Sequence, residues 1–175
     1  MLKFRGTILI KQLGNVPLPL RKPLDSAAHL YLLRPVYETT VEPLENFEFN
    51  EKRKQYDASR ILTRLMSVHK PEGVDYTLYV TGEDLYAEGL NFVFGVALKS
   101  YKVALLSTYR LRQGAGLKLY EERVFKEAAH EIGHLMGLSH CVDPTCLMSF
   151  SNSLLEVDQK LPILCKECMR TAGLA

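Results

Sequence analysis

Apolar and polar positions along the chain follow two different periods, and each period predicts one kind of element. Apolar and β-branched residues with a strand-like pattern occur at 4–13, 36–41, 75–80, 91–98 and 102–108. Apolar residues spaced by three and four, as in a helix, occur at 24–33, 55–69 and 119–138. Strands and helices therefore alternate through the first three quarters of the chain, whereas the last part carries no long regular element.

The segments 91–98 and 102–108 are separated by only three residues, a spacing that predicts an antiparallel hairpin. Gly95 within the first segment indicates a β-bulge or a close approach of another group to the backbone. One strand of this hairpin is expected to form the sheet edge nearest a cleft, where an extended peptide could add by main-chain hydrogen bonds. The sequence leaves open which strand this is. Phe92, Phe94 and Tyr101 are expected to pack on the sheet instead of lining a substrate site.

Chain length predicts one domain, because 175 residues are enough for a substantial core and few for two. We expect a single domain, 1–175, with an N-terminal subdomain of about residues 1–137 and a loop-rich C-terminal subdomain of about residues 138–175. Apolar residues make up 47% and charged residues 24% of the chain, which excludes disordered and collagen-like classes.

Composition also restricts the partners. The longest apolar stretch, near 92–98, is far shorter than the roughly 20 residues that span a bilayer, so no membrane partner is expected. A net charge of +2 without a basic stripe does not suggest nucleic-acid binding. The apolar run after Met1 is too short for a signal peptide, which predicts a cytoplasmic location. We expect a monomer.

The sequence HEIGHLMGLSHC, which begins at His130, carries the main chemical signal. On a helix His130 and His134 lie about 40° apart around the axis and one turn apart along it, so both imidazoles could reach one metal ion. Glu131 is displaced by about 100° and could act on a water bound to that metal. Gly137 could end the helix in a left-handed conformation, after which His140 could supply the third ligand of a catalytic zinc.

The four cysteines form two pairs near the C-terminus, Cys141-x4-Cys146 and Cys165-x2-Cys168. This spacing is typical of a zinc site. The alternatives are two disulfides or unrelated buried thiols. Disulfides are disfavoured, because a cytosolic chain of this length has neither the redox environment nor the small core that requires them. The sequence therefore predicts a tetrahedral four-cysteine zinc site.

With the downstream Met148, these motifs resemble the metzincin clan of zinc peptidases and, within it, the archaemetzincin family; the matching segment covers residues 130–168. The resemblance implies an α+β zincin fold in which a mixed, twisted sheet of about five strands and its helices lie above a small C-terminal subdomain, with the active-site helix between them. It implies a Met-turn at Met148. It also implies Glu131 as general base, a catalytic zinc on His130, His134 and His140, and a structural zinc on Cys141, Cys146, Cys165 and Cys168.

One position departs from part of the clan. Some metzincins carry a tyrosine two residues after the Met-turn methionine as an additional, movable zinc ligand. Phe150 occupies that position here and has no hydroxyl. A protein ligand of that kind is therefore excluded.

The sequence as a whole predicts a zinc-dependent metallopeptidase, an aminopeptidase or endopeptidase, that acts on peptides or unfolded protein segments. A zinc-bound water activated by Glu131 would hydrolyse the peptide bond, and the cofactors would be two Zn²⁺ ions per chain. The alternative is a zinc-stabilised peptide-binding protein with little or no turnover, against which the intact Glu131 argues. Because His140 and Cys141 are adjacent, we expect the structural zinc to hold His140 in place, so that its loss weakens binding of the catalytic zinc.

Overall fold

The computed structural model describes residues 3–17 and 19–175; Leu18 lies outside them, as do Met1 and Leu2 of the N-terminal segment used for the signal-peptide prediction. Eight strands lie in the described residues. They are β1 Gly6–Gln12, β2 Leu33–Tyr37, β3 Phe49–Asn50, β4 Gln55–Asp57, β5 Tyr76–Thr81, β6 Leu85–Tyr86, β7 Gly95–Leu98 and β8 Val103–Ser107.

The main sheet has five strands in the order β2-β1-β5-β8-β7. The first four of these run parallel, and β7 pairs antiparallel with β8. This arrangement confirms the predicted mixed five-stranded sheet and the hairpin. It also answers the question that the sequence left open, because β7 is the edge strand and β8 lies inside the sheet.

Five α-helices of the described residues accompany the strands: α1 Arg21–Leu30, α2 Ala58–Leu65, α3 Leu117–Leu135, α4 Leu154–Gln159 and α5 Lys166–Thr171. The sheet separates two apolar clusters. One contains side chains of α1 and α3, and the other contains side chains of α2. Helix α3 is a core helix, as predicted, since most of its second half is buried. None of the described helices is both long and apolar enough to span a membrane.

Several predicted boundaries were wrong, including the start of the strand predicted at 91–98, which begins at Gly95, and three of them have identifiable reasons. Helix α1 ends before Leu32, which has a left-handed φ of 56°, so the helix cannot reach 33. The strand predicted at 36–41 lies at Leu33–Tyr37, because β2 is a sheet edge, where Pro35 is tolerated. Helix α2 begins only after Asp57, whose carboxylate accepts hydrogen bonds from the amides of Ser59 and Arg60 as an N-cap.

The small sheet β3-β4-β6 was not predicted. Its strands have only two or three residues each, too few for a period to be detected. Strand β4 occupies 55–57, which the helical spacing had assigned to the start of α2. The helix and the strand compete for the same residues, and the N-cap at Asp57 decides the boundary.

Charged contacts attach the C-terminal segment to α3. Arg123 donates two hydrogen bonds of 2.7 Å to the carboxylate of Asp158 at the end of α4. One residue beyond α4, the Lys160 ammonium donates to Glu127 at 2.9 Å, with 0% and 4% of these two side chains exposed. Burial raises the pKa of Glu127, and the adjacent ammonium opposes that shift. These contacts fix the segment after α4 against the helix that carries the histidines. The division into two subdomains stays a prediction.

We predict that Lys160→Ala lowers the free energy of unfolding by about 3–5 kcal/mol, because it leaves the Glu127 carboxylate buried without its partner. Denaturant unfolding monitored by circular dichroism measures the change. Lys52→Ala, at an exposed position, is the control and should change stability by less than about 0.5 kcal/mol. A loss below about 1 kcal/mol for Lys160→Ala would contradict a stabilising role of the pair.

Candidate active site

Helix α3 presents His130 and His134 on one face, and a backbone carbonyl fixes each ring. His130 Nδ1 donates to the carbonyl oxygen of Leu147 at 2.9 Å, and His134 Nδ1 donates to that of Leu138 at 2.8 Å. A neutral imidazole whose Nδ1 carries the proton has a lone pair on Nε2. The two Nε2 atoms lie 3.0 Å apart. Two lone pairs at this distance repel each other, so the arrangement favours a cation that both can bind.

The end of α3 turns the chain back toward these rings. The helix ends at Leu135, and Gly137 follows with a left-handed φ of 94°. The amide of Gly137 donates to the carbonyl of His134 at 3.0 Å, and the amide of Leu138 donates to that of Gly133 at 2.9 Å. These two bonds form a Schellman motif, for which glycine is the preferred residue. The predicted helix stop at Gly137 is confirmed.

The turn places the His140 ring against the other two. Its centroid lies 5.3 Å from that of His130 and 4.9 Å from that of His134. One ring nitrogen from each histidine lies within 4.8 Å of the others. Three imidazoles on a tetrahedral zinc, with bonds of about 2.0–2.1 Å, place neighbouring nitrogens about 3.3 Å apart. The donor chemistry and the close pair of Nε2 atoms therefore fit Zn²⁺.

Burial also sets the protonation of these rings. It lowers the pKa of His134 and His140, and it lowers the pKa of His130 well below its usual value. The Lys160 ammonium lowers the pKa of all three in the same direction. The rings are thus neutral near neutral pH, which is the form that binds a metal ion.

Glu131 lies beside the histidines, with 3% of the residue exposed. Its Oε2 has no hydrogen-bond partner among the described residues. Burial raises the pKa of this carboxyl well above its usual value, and the neighbouring Glu127 adds to the shift. A Cβ on Gly95 would lie 2.6 Å from Glu131 Oε1, so the carboxyl packs directly on the backbone of β7. The close approach that Gly95 indicated is confirmed, and Glu131 is its cause.

Gly133 was missed as a functional position. Within the interior of α3, glycine costs about 1 kcal/mol relative to alanine, and that cost was the available signal. A Cβ on Gly133 would lie 2.6 Å from the Tyr31 hydroxyl oxygen and would overlap the sulfur of Met148. Tyr31 donates to the carbonyl of Ala129 at 2.8 Å. Gly133 thus admits the Met148 side chain beside the histidine pair. The Met-turn itself stays a prediction.

The four cysteines converge on one point, with each Sγ within 4.8 Å of the others. All four are free, and the Sγ atoms of Cys141 and Cys165 lie 3.8 Å apart. Neighbouring sulfurs on a tetrahedral zinc with bonds of about 2.3 Å also lie about 3.8 Å apart, whereas a disulfide bond is about 2.05 Å long. The cluster fits zinc, and the disulfide alternative is wrong.

Backbone amides donate to the sulfurs of Cys146 and Cys165. Cys146 Sγ accepts from the amides of Cys165 at 3.3 Å and Met148 at 3.5 Å. The amide of Cys168 donates to Cys165 Sγ and lowers the pKa of that thiol to about 7. The amide of Cys141 donates to the carbonyl of Met148 at 2.8 Å. The segment that holds the sulfurs therefore also positions the methionine beside the histidines.

A cleft of about 630 Å³ opens over the histidines. Strand β7 and the residues before it form one wall, and the turn after α3 with Phe150 and Ser151 forms the other. Phe92 and Phe94 line the cleft, and Tyr101 is 51% exposed. Phe94 lies in the apolar cluster of α1 and α3, and Phe92 packs against that cluster, so both rings pack as expected and in addition line the cleft. Tyr101 is not among the described residues that line the cleft.

Comparisons with known proteins agree with this geometry. A family model described as Peptidase family M54 matches residues 28–172. A curated relative, the archaemetzincin of Archaeoglobus fulgidus, is 48% identical over 120 residues, which cover 69% of this chain and 70% of the relative. The crystal structure of the archaemetzincin from Methanopyrus kandleri matches with a TM-score of 0.84 and 35% identity over 96% of this chain and 94% of that one.

A further crystal structure, described as a zinc-dependent peptidase from Methanocorpusculum labreanum, matches with a TM-score of 0.83 and 31% identity. It covers 95% of this chain and 100% of the other. The fold, the histidine cluster and these likenesses define a zinc-dependent metallopeptidase whose substrates are peptides. More narrowly, the chain belongs to peptidase family M54, the archaemetzincins.

We predict that Gly95→Ala reduces peptide hydrolysis at least tenfold while zinc content is retained. The added Cβ would overlap Glu131 and displace its carboxyl or β7, at a cost of about 1–3 kcal/mol. Metal analysis and steady-state kinetics measure both quantities. Gly116→Ala is the control, because a Cβ there meets no atom within 4 Å. Unchanged kinetics in a folded Gly95→Ala protein would show that the close approach does not position Glu131.

Proposed function

We propose that His130, His134 and His140 bind the catalytic zinc and that Glu131 is the general base of peptide hydrolysis. The convergence of the two Nε2 atoms at 3.0 Å is the observation that supports the ligand assignment most strongly. A zinc ion held by these residues would supply a Lewis acid that polarises the substrate carbonyl and lowers the pKa of water to about 7. Glu131 accepts the proton of the attacking water and can deliver it to the leaving amine. The unpartnered Oε2 of Glu131 suits this role.

The substrate peptide adds to β7 in this proposal. Because β7 is an edge strand, its outward main-chain groups are free to pair with an extended peptide. Antiparallel pairing is slightly more stable per residue than parallel pairing. Strand β7 passes Glu131 at Gly95, and Lys99, just after the strand, lies beside Gly137. An antiparallel peptide would therefore have its N-terminal part near Lys99 and its C-terminal part toward Phe92.

The charges of the cleft favour an endopeptidase over an aminopeptidase. An aminopeptidase needs an acceptor for the free α-ammonium group of its substrate. The acidic side chains among the described residues that line the cleft are Glu127, which is paired with Lys160, and Glu131, which is assigned to the chemistry. The end of the cleft that would hold the substrate's N-terminus carries the ammonium of Lys99 instead. A blocked or internal segment fits this end better.

The four cysteines are proposed to hold a structural zinc that fixes the turn carrying His140. Their sulfurs belong to the turn after α3, to the segment next to Met148 and to the start of α5, so one ion would join three parts of the C-terminal segment. That segment also supplies the carbonyl of Leu147, which orients His130. Loss of this ion should therefore disturb the positions of His130 and His140, because the same stretch of backbone carries the cysteines.

We predict that Glu131→Gln lowers kcat/KM about 10²–10⁴-fold and leaves the zinc content at two ions per chain, because the amide cannot accept the proton. The assay is cleavage of an N-acetylated, internally quenched peptide library by the zinc-loaded protein, with and without chelator. Glu72→Gln, at an exposed position, is the control and should keep full activity.

Three outcomes would contradict parts of this proposal. Full turnover in zinc-replete Glu131→Gln protein would refute the general-base role. Release of single residues from free N-termini, with acetylated peptides left intact, would refute the endopeptidase assignment. Absence of chelator-sensitive turnover in the native protein would favour the peptide-binding alternative.

We predict that Cys165→Ser lowers the zinc content from two ions to one and lowers the melting temperature, since a hydroxyl is a poor zinc ligand. Zinc affinity at the histidine site, measured by competition with a chelator, should fall as well. The exposed neighbour Lys166→Ser serves as the control. An unchanged zinc count would exclude the four-cysteine site, and an unchanged affinity of the remaining ion would show that the two sites are independent.

A further inference from the structure

A second groove, of about 430 Å³, opens next to the active-site cleft, and Lys99 lines both. The side chains that line the groove include Arg5, Lys99 and Lys102. The groove is also lined by Tyr76, by Leu135 at the end of α3 and by Met136 directly after it. None of the described residues lining it is acidic. The positively charged groove therefore borders the cleft at Lys99, the residue that lines both.

The charges of this groove are not neutralised from within. Lys99 and Lys102 form no ion pair with any residue that the structure describes. The Lys102 ammonium lies 5.6 Å from the centroid of the Tyr76 ring. Arg5 donates to the carbonyls of Tyr31 and Ala172, which fixes its guanidinium at the groove without removing its charge. Such a field favours a negatively charged occupant.

An alternative role for Lys99 involves the C-terminal end of α3 and no substrate. Its Nζ lies 3.0 Å from the position of a Cβ on Gly137, just beyond the C-terminal end of α3. A cation there interacts favourably with the helix dipole, and this alone would justify a lysine. The dipole does not account for Lys102 and Arg5 in the same groove. Selectivity among substrates therefore distinguishes the two roles, because a helix-end contact affects stability alone.

We infer that this groove binds an acidic side chain of the substrate, on the N-terminal side of the scissile bond. The inference rests on the proposed function, since it uses the antiparallel course of the peptide along β7. From Gly95 to Lys99 an extended strand covers about 13 Å, at about 3.3 Å per residue. The selected glutamate or aspartate thus lies two to four residues before the bond that is cleaved. A free N-terminal ammonium at the same place is repelled.

The experiment uses three acetylated, internally quenched peptides of one core sequence, with Glu, Gln or Lys three residues before the cleaved bond. The zinc-loaded native protein should show kcat/KM for the Glu peptide about three- to tenfold above that for the Lys peptide, as expected for one or two partly exposed ion pairs. The preference should approach one in 1 M NaCl, where charges are screened beyond about 3 Å. Cleavage of the uncharged Gln peptide tests the proposed function independently.

Charge variants identify the groove as the origin of the preference. Lys99→Glu should invert the preference toward the Lys peptide, and the milder Lys99→Gln should bring it close to one. Lys52→Glu is the control for overall charge and should keep the native preference. If Lys99 acts only at the helix end, Lys99→Gln will lower the melting temperature and leave the preference unchanged, which overturns the inference.

If the protein shows no turnover, peptide-binding measurements test whether the groove prefers an acidic side chain. Fluorescence anisotropy with zinc-loaded Glu131→Gln protein gives the affinities of the same three peptides. Tighter binding of the Glu peptide, lost in the double variant with Lys99→Gln, supports the groove even when the proposed hydrolysis fails. Equal affinities for the three peptides refute it.

Discussion

The rest of the active site depends on one constraint: the lone pairs of two imidazole nitrogens point at the same place. His130 and His134 direct their Nε2 atoms at each other across 3.0 Å, and each ring is held in that orientation by a carbonyl from the segment after α3. The helix alone does not create the site. Its geometry requires the turn at Gly137, which supplies the carbonyl of Leu138, and the return of the chain to Leu147. The C-terminal segment thus orients the two histidines of α3 and contributes one further histidine to the cluster.

Acidic and basic side chains around this site have opposing effects on the ionisation of their neighbours. Glu127 and Glu131 lie one turn apart on α3, both buried, and two carboxylates so placed disfavour each other's ionisation. Lys160 lies among them with a fully buried ammonium, opposing that repulsion while also lowering the pKa of the histidines. A single side chain from the C-terminal segment therefore acts on both kinds of group. Lys160 acts on the buried carboxylates and on the histidines, and its ion pair with Glu127 therefore lies next to the metal site although burying two charges costs free energy.

The sequence predicted the clustering of the three histidines because their arrangement is nearly local. His130, His134 and His140 lie within eleven residues, and the helix period with a glycine stop is enough to bring them together. The contacts that escaped prediction join residues far apart in the chain. Gly95 with Glu131, and Gly133 with Tyr31, depend on which strand forms the edge and on how α1 packs against α3. The spacing of apolar residues predicts which face of a helix or strand is buried, but not which residues pack against that face. The pair of Lys160 and Glu127 was missed for the same reason.

The exposed main chain of β7 has a consequence for the protein in crowded solution. An edge strand that can accept a peptide can also accept the edge of another molecule, which is the usual first step of β-sheet aggregation. Here the strand has only four residues, and the exposed Lys99 follows it directly. Two copies meeting edge to edge would therefore form few hydrogen bonds. A short edge that leaves room for a substrate thus gives a second copy little to pair with.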